Sequence, residues 1–171
     1  ISLGVNVNPS DGKICTFDCI YCEVGYNCTR RHTQPRPSRE LIAERLETKL
    51  KEMHTAGAKL DVITFSGNGE PTTHPDFLHI IEDTIRLRNA YYPEAKVSVL
   101  TNSTLAHRPD VHRALLLADN NIMKLDTVDP AYINKVDRPT QPSYNVENIV
   151  KEMASFNGHC IVQTIFTHGT D

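Results

Sequence analysis

The sequence predicts an α/β fold: a parallel sheet curled into a partial, open (β/α) barrel, with residues 1–171 as one core domain. Three features carry that expectation. Short β-branched runs alternate with amphipathic segments along the chain, the pattern of right-handed βαβ units and a parallel sheet. The strand segments number five, too few for the eight of a closed barrel. The chain starts at Ile1 and stops at Asp171 just past an apolar run, so we expect both ends to be trimmed and the C-terminus to be truncated before a last strand.

The first strand falls within residues 1–7, where apolar residues alternate with small ones until Asn8-Pro9-Ser10-Asp11-Gly12 signals a turn. A helix follows over about 39–55. Ser38 can cap it, Ile42, Leu46, Leu50 and Met53 recur at helical spacing, and Gly57 closes it. Residues 61–66 (Asp-Val-Ile-Thr-Phe-Ser) are β-branched and aromatic, hence the second strand. The next helix begins at Pro75, a residue suited to a first helical position, and carries Leu78, Ile81 and Ile85. Residues 96–101 read as the third strand, 110–118 as a short helix introduced by Pro109, and 122–126 as the fourth strand. Pro130, Pro139 and Pro142 mark a loop, after which Asn145 caps a helix with Val146, Ile149, Val150 and Met153 on one face. Residues 160–166 read as the fifth strand.

Composition narrows the function classes. A hydrophobic share of 39% and a charged share of 23% are ordinary for a soluble globular chain. No apolar run approaches the ~18–20 residues of a membrane span. There is no signal-peptide pattern, which points to a cytoplasmic protein with no membrane partner. The net charge of −3 argues against a general binder of nucleic acid, although Arg30, Arg31, His32, Arg36 and Arg39 form a local basic run. Five cysteines are an odd number, and three of them crowd into residues 15–22, which suits metal ligands better than a disulfide framework.

Cys15-Thr-Phe-Asp-Cys19-Ile-Tyr-Cys22 brings three thiols within reach of one compact inorganic centre. Three thiolates can bind three irons of a [4Fe-4S] cubane and leave the fourth iron without a protein ligand. Two other readings stay open on spacing alone: a structural zinc site completed by Cys28 or His32, and an iron–sulfur electron carrier. The ferredoxin spacing, with its fourth cysteine followed by proline, is absent.

With Tyr21 directly before the third cysteine, this C-x3-C-x2-C run resembles the signature of the radical S-adenosylmethionine (SAM) superfamily. The resemblance extends over nearly the whole chain and implies the partial barrel, a [4Fe-4S] cluster on Cys15, Cys19 and Cys22, and reductive cleavage of SAM to a 5′-deoxyadenosyl radical. It also implies a low-potential electron donor such as flavodoxin or ferredoxin. The class of enzyme it suggests is an oxidoreductase or lyase type. The motif and its flanks are similar to a branch resembling the tRNA-modifying enzymes of wybutosine biosynthesis, which makes RNA one substrate class beside peptides and small molecules.

Ligands in such folds gather at the carboxyl ends of the strands. Ser66, Gly67, Asn68, Gly69 and Glu70 follow the second strand and resemble the family's glycine-glycine-glutamate segment. Glycines there allow close backbone approach, and Glu70 offers an acceptor for the methionyl ammonium. Asn68 between the glycines departs from the usual form. Thr101, Asn102 and Ser103 match the place where the family contacts the methionine carboxylate, and they are also good turn formers. Asp126 matches the position facing the SAM ribose, and Tyr21 the one beside the adenine. Arg30, Arg31, Arg36, Arg39 and Arg138 are loop cations suited to phosphate. His168, after Thr167 on the same rim, is a candidate substrate contact, whereas His74, His79 and His112 read as surface residues and Cys160 as a small buried hydrophobe.

Overall fold

A computed structural model describes residues 1–29 and 31–166; the candidate rim residues Thr167 and His168 and the cation Arg30 lie outside the described residues. Five strands form one sheet: β1 (Ser2–Val5), β2 (Val62–Phe65), β3 (Lys96–Thr101), β4 (Asn120–Lys124) and β5 (Ile161–Gln163). Every neighbouring pair is parallel and the spatial order is the chain order. The helices are α1 (Arg39–Thr55), α2 (Phe77–Tyr91), α3 (Pro109–Leu117), α4 (Pro130–Val136) and α5 (Val146–Ser155). A sequential strand order with same-handed crossovers keeps the crossover helices on one face, so the sheet curls toward its bare face as an open partial barrel.

The two faces differ in chemistry because strand side chains alternate. Ile63, Phe65, Val97, Val99 and Met123 are fully buried on the helix side, packed with Leu50, Ile80, Ile81, Leu115 and Phe156. The opposite face carries Ser2, Thr64, Ser98 and Asn120. Ser2 and Thr64 join through their hydroxyls at 3.1 Å, and Asn120 Nδ2 donates to Ser98 Oγ at 2.9 Å. That inner face is mixed rather than uniformly polar, because Leu100 and Ile122 follow Ser98 and Asn120 toward the carboxyl ends of their strands.

Most elements fall where the sequence puts them, with five differences, the first being that β5 spans Ile161–Gln163 rather than the expected 160–166. Strand β4 begins at Asn120, two residues before the expected 122–126, because Asn120 and Asn121 pair with Ser98 and Val99 despite being polar; Asp126 therefore lies two residues past the strand. Helix α2 starts at Phe77 rather than Pro75, after a 3-10 turn at Pro71–Thr73. Residues 130–136 form a helix where a proline loop was expected: Asp129 Oδ1 accepts from the Ala131 and Tyr132 amides at 2.8 and 3.4 Å, and Pro130 takes the first turn. His74 is buried, not on the surface. Its Nε2 donates to the Pro37 carbonyl at 3.0 Å and its Nδ1 accepts from the Asp76 amide at 3.1 Å, tying the entry of α1 to that of α2.

Candidate cofactor site

The cysteine loop follows β1 and is held from within by its own polar side chains. Lys13 is buried and donates to the Gly25 carbonyl at 2.7 Å and to Asp18 at 3.3 Å. Asp18 also accepts from Asn27, at 2.7 Å from the amide and 2.9 Å from Nδ2, and Asn27 Oδ1 accepts from the Cys15 amide at 3.1 Å. A buried ammonium is tolerable only with partners turned toward it, so one lysine closes the loop around its first cysteine. From outside, the last residue of α4 and those just after it run beside the loop. Ile20 N donates to Val136 O at 2.9 Å, Asp18 N to Asp137 O at 3.1 Å, and Thr140 N to Thr16 O at 2.9 Å.

All five cysteines are free thiols. Cys15 and Cys22 are half-buried and Cys19 is buried; Cys28 is exposed, and Cys160 sits partly buried against α5. Burial, with the Glu70 charge adding to it, pushes the Cys15 thiol up to about 12, and burial raises Cys19 as well. Such thiols stay protonated in the bare protein, and a metal centre displaces those protons when it binds. Among the described residues no three His, Cys, Asp or Glu side chains crowd round one point as a single ion demands. A tetrahedral zinc with Zn–S near ~2.3 Å asks for that crowding. A cubane asks for one thiolate on each of three irons, and a donor set of three spaced cysteines fits it. Cys28 and His32, the fourth ligands a zinc site needs, are both exposed.

The loop after β2 meets the cysteine loop backbone to backbone. Ile14 N donates to Asn68 O at 3.1 Å and Glu70 N to Ile14 O at 2.8 Å. Gly69 has φ +116°, and a Cβ there would lie 1.9 Å from the Ile14 carbonyl oxygen; at Gly67, φ +151°, it would strike the Asn6 side chain at 2.5 Å. The glycines thus let two loops of the same chain close on one another. Asn68, the departure from the family pattern, donates to the carbonyls of Pro9 and Ser10 at 3.0 and 3.1 Å, anchoring the turn after β1. Ser66, half-buried, continues the ladder by donating its amide to Val5 O at 3.3 Å.

Glu70 is neither solvated nor free. Its carboxylate accepts from Thr72 N (3.1 Å), Thr72 Oγ1 (2.6 Å), Thr101 Oγ1 (2.7 Å) and Asn102 N (2.6 Å), all buried. Burial still holds its carboxyl above the ordinary value. Asn102 carries the chain of contacts onward: its Nδ2 donates to Thr16 Oγ1 at 2.8 Å and reaches Cys15 Sγ at 3.6 Å, while Oδ1 accepts from Thr104. Ser103 takes φ 70°, is fully buried, and donates to the Lys124 carbonyl at 3.3 Å. The ends of β2, β3 and β4 are therefore wired to the first cysteine through side chains.

A second polar cluster lies beside Cys19. Lys124 Nζ bridges Asp126, at 2.8 Å, and Asp137, and sits over the rings of Phe17 and Tyr21 at 5.0 and 5.3 Å from their centroids. The Tyr21 hydroxyl donates to Asp126, and Asp126 Oδ1 accepts from Ile165 N at 3.0 Å. Burial pulls on all four groups. It raises the Tyr21 hydroxyl and the Asp137 carboxyl, whereas for Asp126 burial is outweighed by Lys124 and Tyr21, which hold it low.

Sequence reasoning placed Tyr21 and Asp126 on one rim, and they touch. It missed Lys13, Asp18, Asn27 and Asp137, whose side-chain partners lie from 5 to 116 residues away and follow no periodic pattern. Two members of the basic run are structural: Arg36 donates to Thr73 and Arg39 pairs with Asp83 at 2.7 Å, so neither is a free phosphate contact. Arg138 lies over the Tyr26 ring at 5.6 Å. Arg31 is exposed and joins Lys13, Cys15, Asn27 and His32 around an opening of about 400 Å³. A cavity of about 830 Å³ lies between α4 and α5, separated from the cysteine loop by the edge contact of Phe17 with Tyr144 at 5.5 Å.

Residues 10–171 match the family model described as the Radical SAM superfamily. A UPF0026 protein of Helicobacter pylori is 28% identical over 99% of this chain and 53% of its own length. A UPF0026 protein of Methanocaldococcus jannaschii is 29% identical over 96% of this chain and 49% of its own. The chain thus spans about half the length of these curated relatives. Among solved structures, Streptococcus suis SuiB bound to S-adenosylmethionine superposes with a TM-score of 0.66 at 17% identity, over 99% of this chain and 33% of that one. Native anSMEcpe with bound AdoMet gives 0.62 at 20% identity, over 94% of this chain and 43% of that one. At these identities the two structures establish the shared fold.

Proposed function

The chain belongs to the radical SAM superfamily, whose members bind a [4Fe-4S] cluster and S-adenosylmethionine, and from that premise we propose that Cys15, Cys19 and Cys22 hold the cluster of an oxidoreductase- or lyase-type enzyme that cleaves SAM reductively. The observation that carries the proposal is the wiring of the strand ends into the cysteine loop, through Glu70 to Asn102 to Cys15 and through Asp126 to Tyr21. Among the described residues no helix is long and apolar enough to cross a membrane; free thiols suit a reducing cytoplasm.

When bound, the cluster and SAM supply a 5′-deoxyadenosyl radical that takes hydrogen from a substrate. The residues of this chain bind and orient. Ser66, Gly67, Asn68 and Gly69 form the turn that closes on Asn6 and Ile14 and shapes the seat of the methionyl end. Glu70 acts from beneath, fixing Thr101 and the Asn102 amide, while Thr101, Asn102 and Ser103 shape the carboxylate side. Asp126, its carboxylate taken up by Lys124, Tyr21 and the Ile165 amide, acts on the ribose side from behind by holding Tyr21, which screens the adenine. Residues 1–171 act as one core domain that accepts its electron from a flavodoxin- or ferredoxin-type donor. The substrate is RNA or peptide: the motif's resemblance suggests RNA by analogy alone, and with Arg36 and Arg39 paired internally, Arg31 is the cation of the described run left facing the cysteine-loop opening.

Anaerobic reconstitution tests this. The expected result is about four irons per chain and release of 5′-deoxyadenosine from SAM on adding dithionite, with candidate RNAs and peptides then compared as hydrogen donors. Zinc bound by four side chains in anaerobically purified protein, or iron without SAM cleavage, overturns it.

A further inference from the structure

The polar cluster at the mouth of β4 holds one cation whose surroundings face the cysteines. Lys124 is a strand-end residue with a side chain only 15% exposed. Its stem is fixed by β4, which pairs with both β3 and β5. Its ammonium is fixed by Asp126 and Asp137, carboxylates whose own side chains are 1% and 3% exposed. The rings it lies over belong to Phe17 and Tyr21, two residues to either side of Cys19. Three elements thus converge to hold a charge beside the second cysteine: β4, the end of α4, and the cysteine loop itself.

A simple structural pair would not need this arrangement. Burying an ammonium and two carboxylates is expensive, and apolar residues of similar volume often stabilise a protein as well or better. Inside a low-dielectric region a fixed cation acts on whatever negative charge forms nearby. A cubane gains one negative charge on reduction, and its potential follows net charge, hydrogen bonds to sulfur and exposure.

We propose that Lys124, locked in place by Asp126 and Asp137, is a positioning residue that eases one-electron reduction of a cluster on Cys19. The inference rests on the cluster assignment above. The electron comes from a low-potential donor of the flavodoxin or ferredoxin class, and the cluster is the group reduced. Lys124 stays protonated throughout and supplies only its field. Asp137 opposes it, as the second charge facing Cys19, and Asp126 is turned toward Tyr21 and Ile165.

The test is a potentiometric titration of the reconstituted wild type, Lys124→Met, Lys124→Arg and Asp137→Asn, followed by electron paramagnetic resonance, with iron counted in each. Lys124→Met should keep its iron but move to more negative potential, with about a tenfold fall in the ratio of reduced to oxidised cluster at a fixed potential, equal to about 59 mV for a one-electron couple. Lys124→Arg should restore the wild-type value. Asp137→Asn should move the other way, which keeps the inference testable if Lys124→Met, left with two buried carboxylates, fails to fold. Full iron with unchanged potential in Asp137→Asn and in whichever lysine variants fold would overturn the role of Lys124 and leave the cluster assignment standing. Wild type that takes up no iron overturns the cluster assignment itself.

Discussion

Residues that look alike in the sequence part company once their surroundings are known, and two predictions follow from that. Cys15, Cys19 and Cys22 share one loop whose backbone is pinned by Lys13, Asp18 and Asn27, while Cys160 contacts the Met153 carbonyl region of α5. Replacing any of the first three by alanine should abolish iron incorporation, and Cys160→Ala should leave it intact. Equal iron loss in Cys160→Ala would mean the ligands are misassigned. Glu70 makes a sharper case. Its two oxygens face only donors, so Glu70→Gln must turn an amide N–H toward another N–H or O–H. An unsatisfied buried polar group costs about 1–3 kcal/mol and more when the lost partner was charged, so we expect roughly 3 kcal/mol of destabilisation in urea unfolding. The same variant should loosen Asn102 and thereby weaken SAM affinity. Near wild-type stability would show that the cage is not closed around Glu70.

Between elements, the tie that joins α1 to α2 is electrostatic where it meets solvent and apolar beneath. Leu46, Leu50, Ile80 and Ile81 fill the space under the helices, and Arg39 reaches across to Asp83, which also faces Arg86. The Arg39 hydrogen bond, outweighing a little burial, holds the Asp83 carboxyl below its ordinary value near 3.8. The sign follows: a carboxyl depressed in the folded state adds stability above the unfolded value and loses it as pH falls through the lower folded value. The stability gap between wild type and Asp83→Asn should therefore be present at neutral pH and close below about pH 3.8. Urea unfolding at several pH values measures it, and a gap that widens in acid would contradict the pairing. The same scale explains α4. Asp129-Pro130 is a helix start in plain view, yet Pro139 and Pro142 downstream made the stretch read as loop.

For the molecule as a whole, a rigid sheet carries a cofactor site assembled from loops, and the two should respond differently to the cluster. The centre of β3 has Val97 and Val99 fully buried and should open only with global unfolding, whereas residues 13–29 and 136–140 are joined by a few loop hydrogen bonds. Cluster assembly should slow amide exchange in those two segments together and leave the β3 amides nearly unchanged. Protection spread evenly over the sheet would contradict this division. Element identity was readable because it rests on local rules: a 3.6-residue stripe on α1, β-branched runs in β2 and β3, and the Ser38 and Asn145 caps. The three cysteines were readable because their spacing is itself the chemical requirement. The sequence alone therefore determined the strand order, every helix but α4, and the three-cysteine loop proposed to bind the cluster. Only the tertiary structure decided that Glu70 is caged, that Arg36 and Arg39 are spent on internal partners, and that Lys124, Asp126, Asp137 and Tyr21 form one cluster. Those facts depend on which distant groups the folded chain brings within hydrogen-bond reach, and a buried charge takes its properties from such neighbours rather than from its place in the chain.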